Sequence, residues 1–181
     1  YIFDELLILD KKDGIAELLK REKYNVAPPA KLFKRSLFEN IRFPTGVLVD
    51  DIHVIYKVFA NAEKTVSQGI PLYSFRKHAS NMTNFNQTNK LTPELLKEYL
   101  AMYRERTEYL SKRVPEIKER ARYSEWSYMI SMCDKITKYN CSDCMGIYHF
   151  MINCIKQNYE EVVTSEFLTD REKEILSMHI V

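Results

Sequence analysis

The sequence predicts an α/β fold that is predominantly helical, with a change in texture near residues 84–92. Before that stretch, short runs rich in β-branched and aromatic residues alternate with short helical patterns, as in small mixed folds. After it, the chain is charged, almost free of glycine and proline, and repeats apolar residues at helical spacing. We therefore expect two domains, a mixed domain at residues 1–88 and a helical bundle at residues 89–181.

The first domain is predicted to contain short elements only. Helices are indicated where apolar residues recur every three or four positions, as at Ile52, Ile55, Tyr56 and Phe59. In chain order we expect a helix at 13–24, a strand at 30–34, a helical turn at 36–40, a turn at 43–46, a helix at 50–62, and strands at 65–68 and 72–77.

The second domain begins with a strong helix start. Thr92 is suited to the N-cap, Pro93 to the first helical position and Glu94 to the first turn. Further helices are expected from Pro115 towards Ile136 and over residues 145–159. The run from Thr169 to Glu172 has the spacing of a capping box and predicts a last short helix.

Length and composition exclude several function classes. A compact chain of 181 residues would bury roughly 70% of its unfolded surface. Its 27 basic and 25 acidic side chains leave a formal charge of +2, which does not favour nucleic acid. Four glycines are too few and too scattered for a P-loop or a dinucleotide fingerprint. No apolar run is long enough to span a membrane, so we expect a cytoplasmic protein, and the start at Tyr1 suggests a piece of a longer one.

The acidic pair Asp50-Asp51 is the most informative motif. Taken alone, two aspartates before an apolar helical pattern most often cap a helix. The flanking sequence gives the pair another interpretation. Around it stand Lys31-Leu32-Phe33, then Ile41-Arg42-Phe43-Pro44, then Pro71-Leu72-Tyr73, with Met82-Thr83 closing the block.

This order resembles the second half of a family 2 glycosyltransferase. Members of that family typically carry Trp-Asn-Lys-Leu-Tyr, then Ile-Arg-Phe-Pro, then a Glu-Asp pair that opens a helix, then Pro-Leu-Tyr and an arginine. The resemblance covers about the first 90 residues. It implies the C-terminal, acceptor-side part of a GT-A-like fold of short strands and helices, followed by a helical tail. This sequence departs from the family before Leu32, where Pro29 and Ala30 stand.

The resemblance implies roles for six residues. Asp51 is implied as the catalytic base, with Asp50 adjusting its pKa by like-charge repulsion. Arg76 and His78 alternate on the predicted strand at 72–77 and just beyond, so both are expected on one face, where they would bind the donor diphosphate. Lys31 is implied on the acceptor side, and Ser80 as a residue that holds a turn.

The implied function is inverting transfer of a sugar from a nucleotide-sugar donor to a glycan or lipid-linked acceptor, in the synthesis of bacterial capsule, lipopolysaccharide or other envelope glycans. The family's nucleotide-binding half, with an Asp-x-Asp motif that holds Mg²⁺ or Mn²⁺, would precede Tyr1, and the chain itself contains no Asp-x-Asp. We therefore expect this fragment alone to be inactive and the whole enzyme to be cytoplasmic or peripheral to the inner membrane face. The alternative is a non-enzymatic helical interaction module with a degenerate transferase remnant.

The four cysteines form the main rival motif. All lie between Cys133 and Cys154, and Cys141 and Cys144 form a CxxC. Four thiols could build a tetrahedral zinc site, but one CxxC is half of the usual paired arrangement. Cys133 and Cys154 also fit apolar helical stripes. We therefore expect reduced core thiols and no zinc, and a redox role is disfavoured because no thioredoxin-like strand precedes the motif.

Overall fold

The structure is a computed structural model that describes residues 1–76, 78 and 91–180. Its elements confirm a predominantly helical chain with a small sheet. They are β1 (Leu6–Asp10), α1 (Lys11–Lys20), 3₁₀ turns at Arg35–Phe38 and Asp51–His53, α2 (Ile55–Asn61), β2 (Lys64–Gln68), α3 (Pro93–Arg113), a 3₁₀ turn at Pro115–Ile117, α4 (Lys118–Lys138), a 3₁₀ turn at Ser142–Cys144, α5 (Met145–Gln157), α6 (Tyr159–Val163) and α7 (Asp170–His179).

The backbone contacts divide the chain into two compact units. Unit 1 comprises Tyr1–Phe75 and Arg104–Ala121, and unit 2 comprises Arg76–Tyr103 and Arg122–Val181. Each unit thus contains part of α3 and part of α4. The predicted domain boundary, between residues 88 and 89, lies outside the described residues.

Unit 1 contains the antiparallel pair β1 and β2, in which Ile8 lies opposite Val66. The strand predicted at 65–68 is confirmed, whereas the sequence reasoning did not find β1. A two-stranded sheet is at best marginally stable by itself. Here α1 packs against both strands, and it approaches β2 closely at Gly14, where an added Cβ would lie 2.7 Å from the Thr65 hydroxyl.

The core of unit 1 is built from three short pieces of chain. Helices α1 and α2 contribute one apolar face each, and the end of α3 with the start of α4 contributes another. Each large apolar side chain buried in this way contributes about 1.5–3 kcal/mol. The buried members are Ile15, Leu18, Leu19, Tyr24, Ile55, Tyr56, Phe59, Ala60, Leu110, Val114, Ile117 and Ala121.

Two predicted helices of unit 1 have different bounds in the structure. The helix expected at 13–24 ends at Lys20, because Arg21 takes a left-handed conformation (φ 64°) and its N–H bonds the Glu17 carbonyl. The helix expected at 50–62 is divided into the 3₁₀ turn Asp51–His53 and α2. The helical turn expected at 36–40 is a 3₁₀ turn at Arg35–Phe38.

Two predicted strands of unit 1 are wrong in the described residues. Residues 30–34 form no strand, since Ala30 has φ 63° and the chain turns there. Residues 72–76 have no regular structure, and Lys77 lies outside the described residues. Both stretches contain aromatic and branched residues, but neither pairs with a partner strand among the described residues, and a strand requires a partner for its backbone hydrogen bonds.

Unit 2 follows its local sequence signals closely. The Thr92 hydroxyl accepts a hydrogen bond from the Leu95 N–H (3.2 Å), as expected of an N-cap. The capping box at Thr169 and Glu172 is present in both directions. The helix predicted over 145–159 is α5 followed by α6. The core of unit 2 combines apolar residues from α3, α4, α5, α6 and α7. Its largest fully buried side chains are Leu96, Ile130, Ile136, Met151 and Ile155.

None of the described helices combines the length and the apolar content that crossing a bilayer requires.

Candidate active site around Asp51

Asp51 is the first residue of a 3₁₀ turn whose other residues anchor it in unit 1. Ile52 and Val54 are buried, and α2 continues with the fully buried Ile55. This pattern sets the direction of the turn, because the apolar side chains must face the core. Asp50 is exposed and makes no side-chain cap hydrogen bond, so the helix-cap interpretation of Asp50 is wrong for this residue.

The Asp51 carboxyl group is half-buried and incompletely hydrogen-bonded. Its Oδ1 atom is buried and has no hydrogen-bond partner among the described residues. Burial raises the pKa of the Asp51 carboxyl, the N–H groups of Ile52 and of Asp51 itself lower it, the charge of Asp50 raises it, and that of Lys31 lowers it. The net pKa is raised, because loss of hydration outweighs the local hydrogen bonds.

Lys31 lies within electrostatic reach of Asp51. Its half-buried ammonium group donates a hydrogen bond to the Ala27 carbonyl (2.5 Å), across the turn that contains Ala30. Burial lowers the pKa of Lys31, and the charge of Asp51 partly offsets that effect. The structure thus brings together three of the predicted site residues, Asp50, Asp51 and Lys31.

The other three predicted residues are not placed at Asp51 by any described contact. Arg76 and His78 are exposed and belong to unit 2. Neither lies on a strand, so the alternation that was expected to put both on one face has no structural basis here. Ser80 lies outside the described residues.

A charged cluster beside the Asp51 turn was missed by the sequence reasoning. Glu105, on α3, accepts hydrogen bonds from the Tyr56 hydroxyl (3.1 Å) and the Lys57 ammonium (2.7 Å), and its other oxygen lies 4.0 Å from the His53 ring. The spacing of His53, Tyr56 and Lys57 at i, i+3 and i+4 was visible and indicates one helix face. Glu105 is 48 residues from Lys57, and no local pattern connects the two.

The Glu105 carboxylate is ionised more readily than an ordinary one. Burial alone would raise its pKa, but the hydrogen bond and charge of Lys57, the Tyr56 hydroxyl and the charge of His53 together lower it. Asp51 and Glu105 are therefore shifted in opposite directions. Opposed shifts among neighbouring carboxyl groups often accompany a division of roles, one group reacting and the other structural.

The cysteines behave as packed thiols. All four are free, Cys133 and Cys144 are buried, and the Cys144 thiol donates to the Leu91 carbonyl (3.7 Å). Burial raises the pKa of Cys133 to about 12, so the thiolate that metal binding and disulfide exchange require is scarce at neutral pH. Within residues 1–76, 78 and 91–180, no group of three or more His, Cys, Asp and Glu side chains is arranged to hold a metal ion.

Comparison with known proteins adds no relative: no protein-family model, curated protein or solved structure matches the chain.

Proposed function

We propose that this chain is part of an inverting glycosyltransferase of GT-A-like fold, in which Asp51 is the catalytic base. The observation that carries the proposal is the state of the Asp51 carboxyl, half-buried with a raised pKa and one oxygen without a hydrogen-bond partner. A base must keep a lone pair available and hold a proton once it receives one. The raised pKa of Asp51 meets the second requirement, and its Oδ1 atom, which is buried in this structure, keeps lone pairs that no hydrogen bond occupies.

The reaction follows from that role. An acceptor hydroxyl donates its proton to an Asp51 oxygen as the hydroxyl oxygen forms a bond to the anomeric carbon of the donor sugar. The bond from that carbon to the diphosphate breaks, and the nucleoside diphosphate leaves with the electron pair. The configuration at the anomeric carbon is inverted, because attack and departure occur on opposite faces.

Asp50 and Lys31 adjust the base in opposite ways. The charge of Asp50 favours the protonated form of Asp51, and the charge of Lys31 favours the ionised form. The two charges thus act on the pKa of Asp51 in opposite directions, while burial raises it. Lys31 also remains the residue proposed for the acceptor side, next to the base.

The donor side of the proposal depends on the sequence resemblance alone. Arg76 and His78 are retained as candidates for the diphosphate, because positive side chains stabilise a leaving diphosphate. The described residues do not fit a Mg²⁺ or Mn²⁺ ion, since no group of three or more His, Cys, Asp and Glu side chains among them is arranged to hold one. The proposed steps of sugar transfer do not use a metal ion.

The test is sugar transfer by the polypeptide of the whole open reading frame, because in the family that the sequence resembles a nucleotide-binding half precedes the corresponding residues. We expect Asp51→Asn to lower kcat about 10²–10⁴-fold, the usual contribution of a general base. Asp13→Asn is the matched control, because it removes an exposed carboxylate in the first turn of α1, in the same unit but outside the proposed site. Its effect on kcat should be far smaller, and both variants should retain the wild-type circular dichroism spectrum.

Unchanged turnover in Asp51→Asn would remove Asp51 from the mechanism. If instead the whole polypeptide transfers no sugar from any nucleotide-sugar donor, the alternative of a non-enzymatic helical module is favoured.

A further inference from the structure

The turn that carries Asp51 is weakly specified by its own sequence. It has one 3₁₀ turn, no side-chain cap from Asp50, and a junction at Val54 (φ −119°) where the 3₁₀ turn meets α2. Helix α2 itself has seven residues, fewer than an isolated helix needs for stability. Beyond the burial of Ile52 and Val54, the orientation of Asp51 must therefore depend on further contacts with other parts of unit 1.

Glu105 makes such contacts on both sides of the Val54 junction. It faces His53 in the 3₁₀ turn, and it bonds Tyr56 and Lys57 in the first turn of α2. The Glu105 carboxylate on α3 therefore contacts residues on both sides of the junction between the 3₁₀ turn and α2. In a 3₁₀ turn, residues two positions apart in the sequence are separated by about 240° of rotation. Asp51 and His53 therefore lie on different sides of the turn. Glu105 therefore contacts the turn through His53 and not through the proposed base.

The bond from Tyr56 is partly buried, whereas the Glu105 side chain is 51% exposed and its bond from Lys57 lies at the surface. Tyr56 is fully buried, and the side chain of His53 is 17% exposed. The Lys57 ammonium also lies over the rings of Tyr56 (5.4 Å) and Tyr109 (5.9 Å). Tyr109 is one helical turn from Glu105 and packs edge-on against Tyr56 (5.6 Å). Helix α3 thus contacts α2 in two ways, through the aromatic pair of Tyr109 and Tyr56 and through the ion pair of Glu105 and Lys57.

We propose that Glu105 is a positioning residue, whose carboxylate fixes the direction in which the turn presents the Asp51 side chain. The proposal rests on the proposed function for its biological meaning, but the structural link can be measured without any sugar transfer. If Glu105 loosens, the turn can rotate about the Val54 junction, and the Asp51 carboxyl becomes more hydrated. Its pKa then falls towards the ordinary aspartate value, since burial is the main cause of its elevation.

The test is the carboxyl titration of Asp51 in the 181-residue chain, followed by ¹³C NMR with labelled aspartate and assigned with Asp51→Asn. We expect Glu105→Asp, which keeps the charge but shortens the reach, to lower the midpoint of Asp51. Lys57→Gln should lower it as well. The second variant is decisive, because the loss of the Lys57 charge can act through space only in the opposite direction, by raising the pKa of Asp51.

Matched controls are Glu108→Asp and Lys112→Gln, exposed residues of the same helix in the same unit. They should leave the Asp51 midpoint unchanged. Both test variants are expected to fold, since the apolar core between α2 and α3 is unaltered, and amide chemical shifts outside residues 50–57 will verify that. A wild-type midpoint in Glu105→Asp, or a raised midpoint in Lys57→Gln, would overturn the proposal. Because turnover is not used, such a result leaves the role of Asp51 as base to its own test.

Discussion

The two units differ in what determines their local structure. In unit 2 the helices carry their own start signals, as at Thr92 and Thr169, and α5 presents an apolar face to a shared core. In unit 1 the elements are short, and the sheet, α1 and α2 each need the others to be stable. The comparison teaches that the candidate site lies in the unit where structure depends on tertiary contacts. A site of that kind can be reoriented by a single distant residue.

The units also differ in the apolar surface that they leave in solvent. On the sheet of unit 1, Ile8 and Val66 face each other across the strands and are about 60% exposed, at 62% and 59%. Leu6 adds a third exposed apolar side chain at 61% on the same face. Clustered exposed apolar residues of this kind are typical of surfaces that meet another chain or domain. Among the described residues of unit 2, the large exposed apolar side chains are Tyr139, Met145, Phe150 and Met178.

The largest difference between the units in the free energy of unfolding is expected when one glycine in each is replaced by alanine. Gly69 follows β2 and packs against the backbone of Phe3, so closely that an added Cβ would lie well inside van der Waals contact. Backbone cannot move aside as a flexible side chain can, and Gly69→Ala should destabilise the protein by about 3 kcal/mol. Gly146 lies in the first turn of α5, and an added Cβ meets nothing within 4 Å there. Gly146→Ala should stabilise the protein by about 0.5 kcal/mol, because alanine loses less conformational freedom in a helix.

Urea unfolding of both variants, followed by circular dichroism, measures the two free energies of unfolding. The contrast fails if Gly69→Ala is as stable as wild type, which would mean that the first residues of the chain are not held against Gly69. It also fails if Gly146→Ala is destabilised, since open space beside Gly146 leaves no source for such a loss.

Replacing the residue at one N-cap position in each unit by alanine should give a smaller difference in the free energy of unfolding. The Thr169 hydroxyl accepts a hydrogen bond from the Glu172 N–H (3.3 Å), and Glu172 accepts one from the Thr169 N–H (3.0 Å). Thr169→Ala should therefore cost about 1 kcal/mol of stability. Asp50 stands at the corresponding position of the 3₁₀ turn but bonds no N–H with its side chain. Asp50→Ala should change the free energy of unfolding by less than about 0.5 kcal/mol.

The same unfolding experiment measures both caps, and the result of interest is their difference. Equal losses in Thr169→Ala and Asp50→Ala would show that Asp50 caps its turn in solution. That outcome would restore the simple capping interpretation of the Asp50-Asp51 pair and weaken the catalytic one.

The elements that local signals determine could be predicted from the sequence, and those that depend on tertiary contacts could not. The helix starts at Thr92 and Thr169 were predicted correctly, because caps and proline position act over a few residues. The strand at 30–34 was predicted wrongly, because a run of branched and aromatic residues does not reveal whether a partner strand exists. Strand β1 was missed for the converse reason, since its pairing with β2 joins residues such as Leu6 and Gln68 that are far apart in the chain.

The candidate site was predictable to a similar extent. Asp51, Asp50 and Lys31 could be named from a resemblance of motifs, and they do lie within reach of one another. The raised pKa of Asp51 could not be derived beforehand, because burial depends on how Ile52 and Ile55 pack. Glu105 could not be found at all, since its relation to His53, Tyr56 and Lys57 exists only after α3 has packed against α2.

The smallest expected effect concerns the stability cost of the proposed base itself. The pKa of Asp51 is raised in the folded chain, so its ionised form is disfavoured by folding above that pKa, and the cost disappears as the pH falls through the folded pKa towards 3.8. Asp51→Asn should therefore have a slightly higher Tm than wild type at pH 7. The difference should shrink as the pH is lowered through that range, measured by thermal unfolding of both proteins. A lower Tm at pH 7, or a difference independent of pH, would mean that the Asp51 carboxylate is well solvated or fully bonded. In that case Asp51 would have the properties of an ordinary cap, and a half-buried carboxyl would no longer distinguish the candidate site of unit 1 from the capped helices of unit 2.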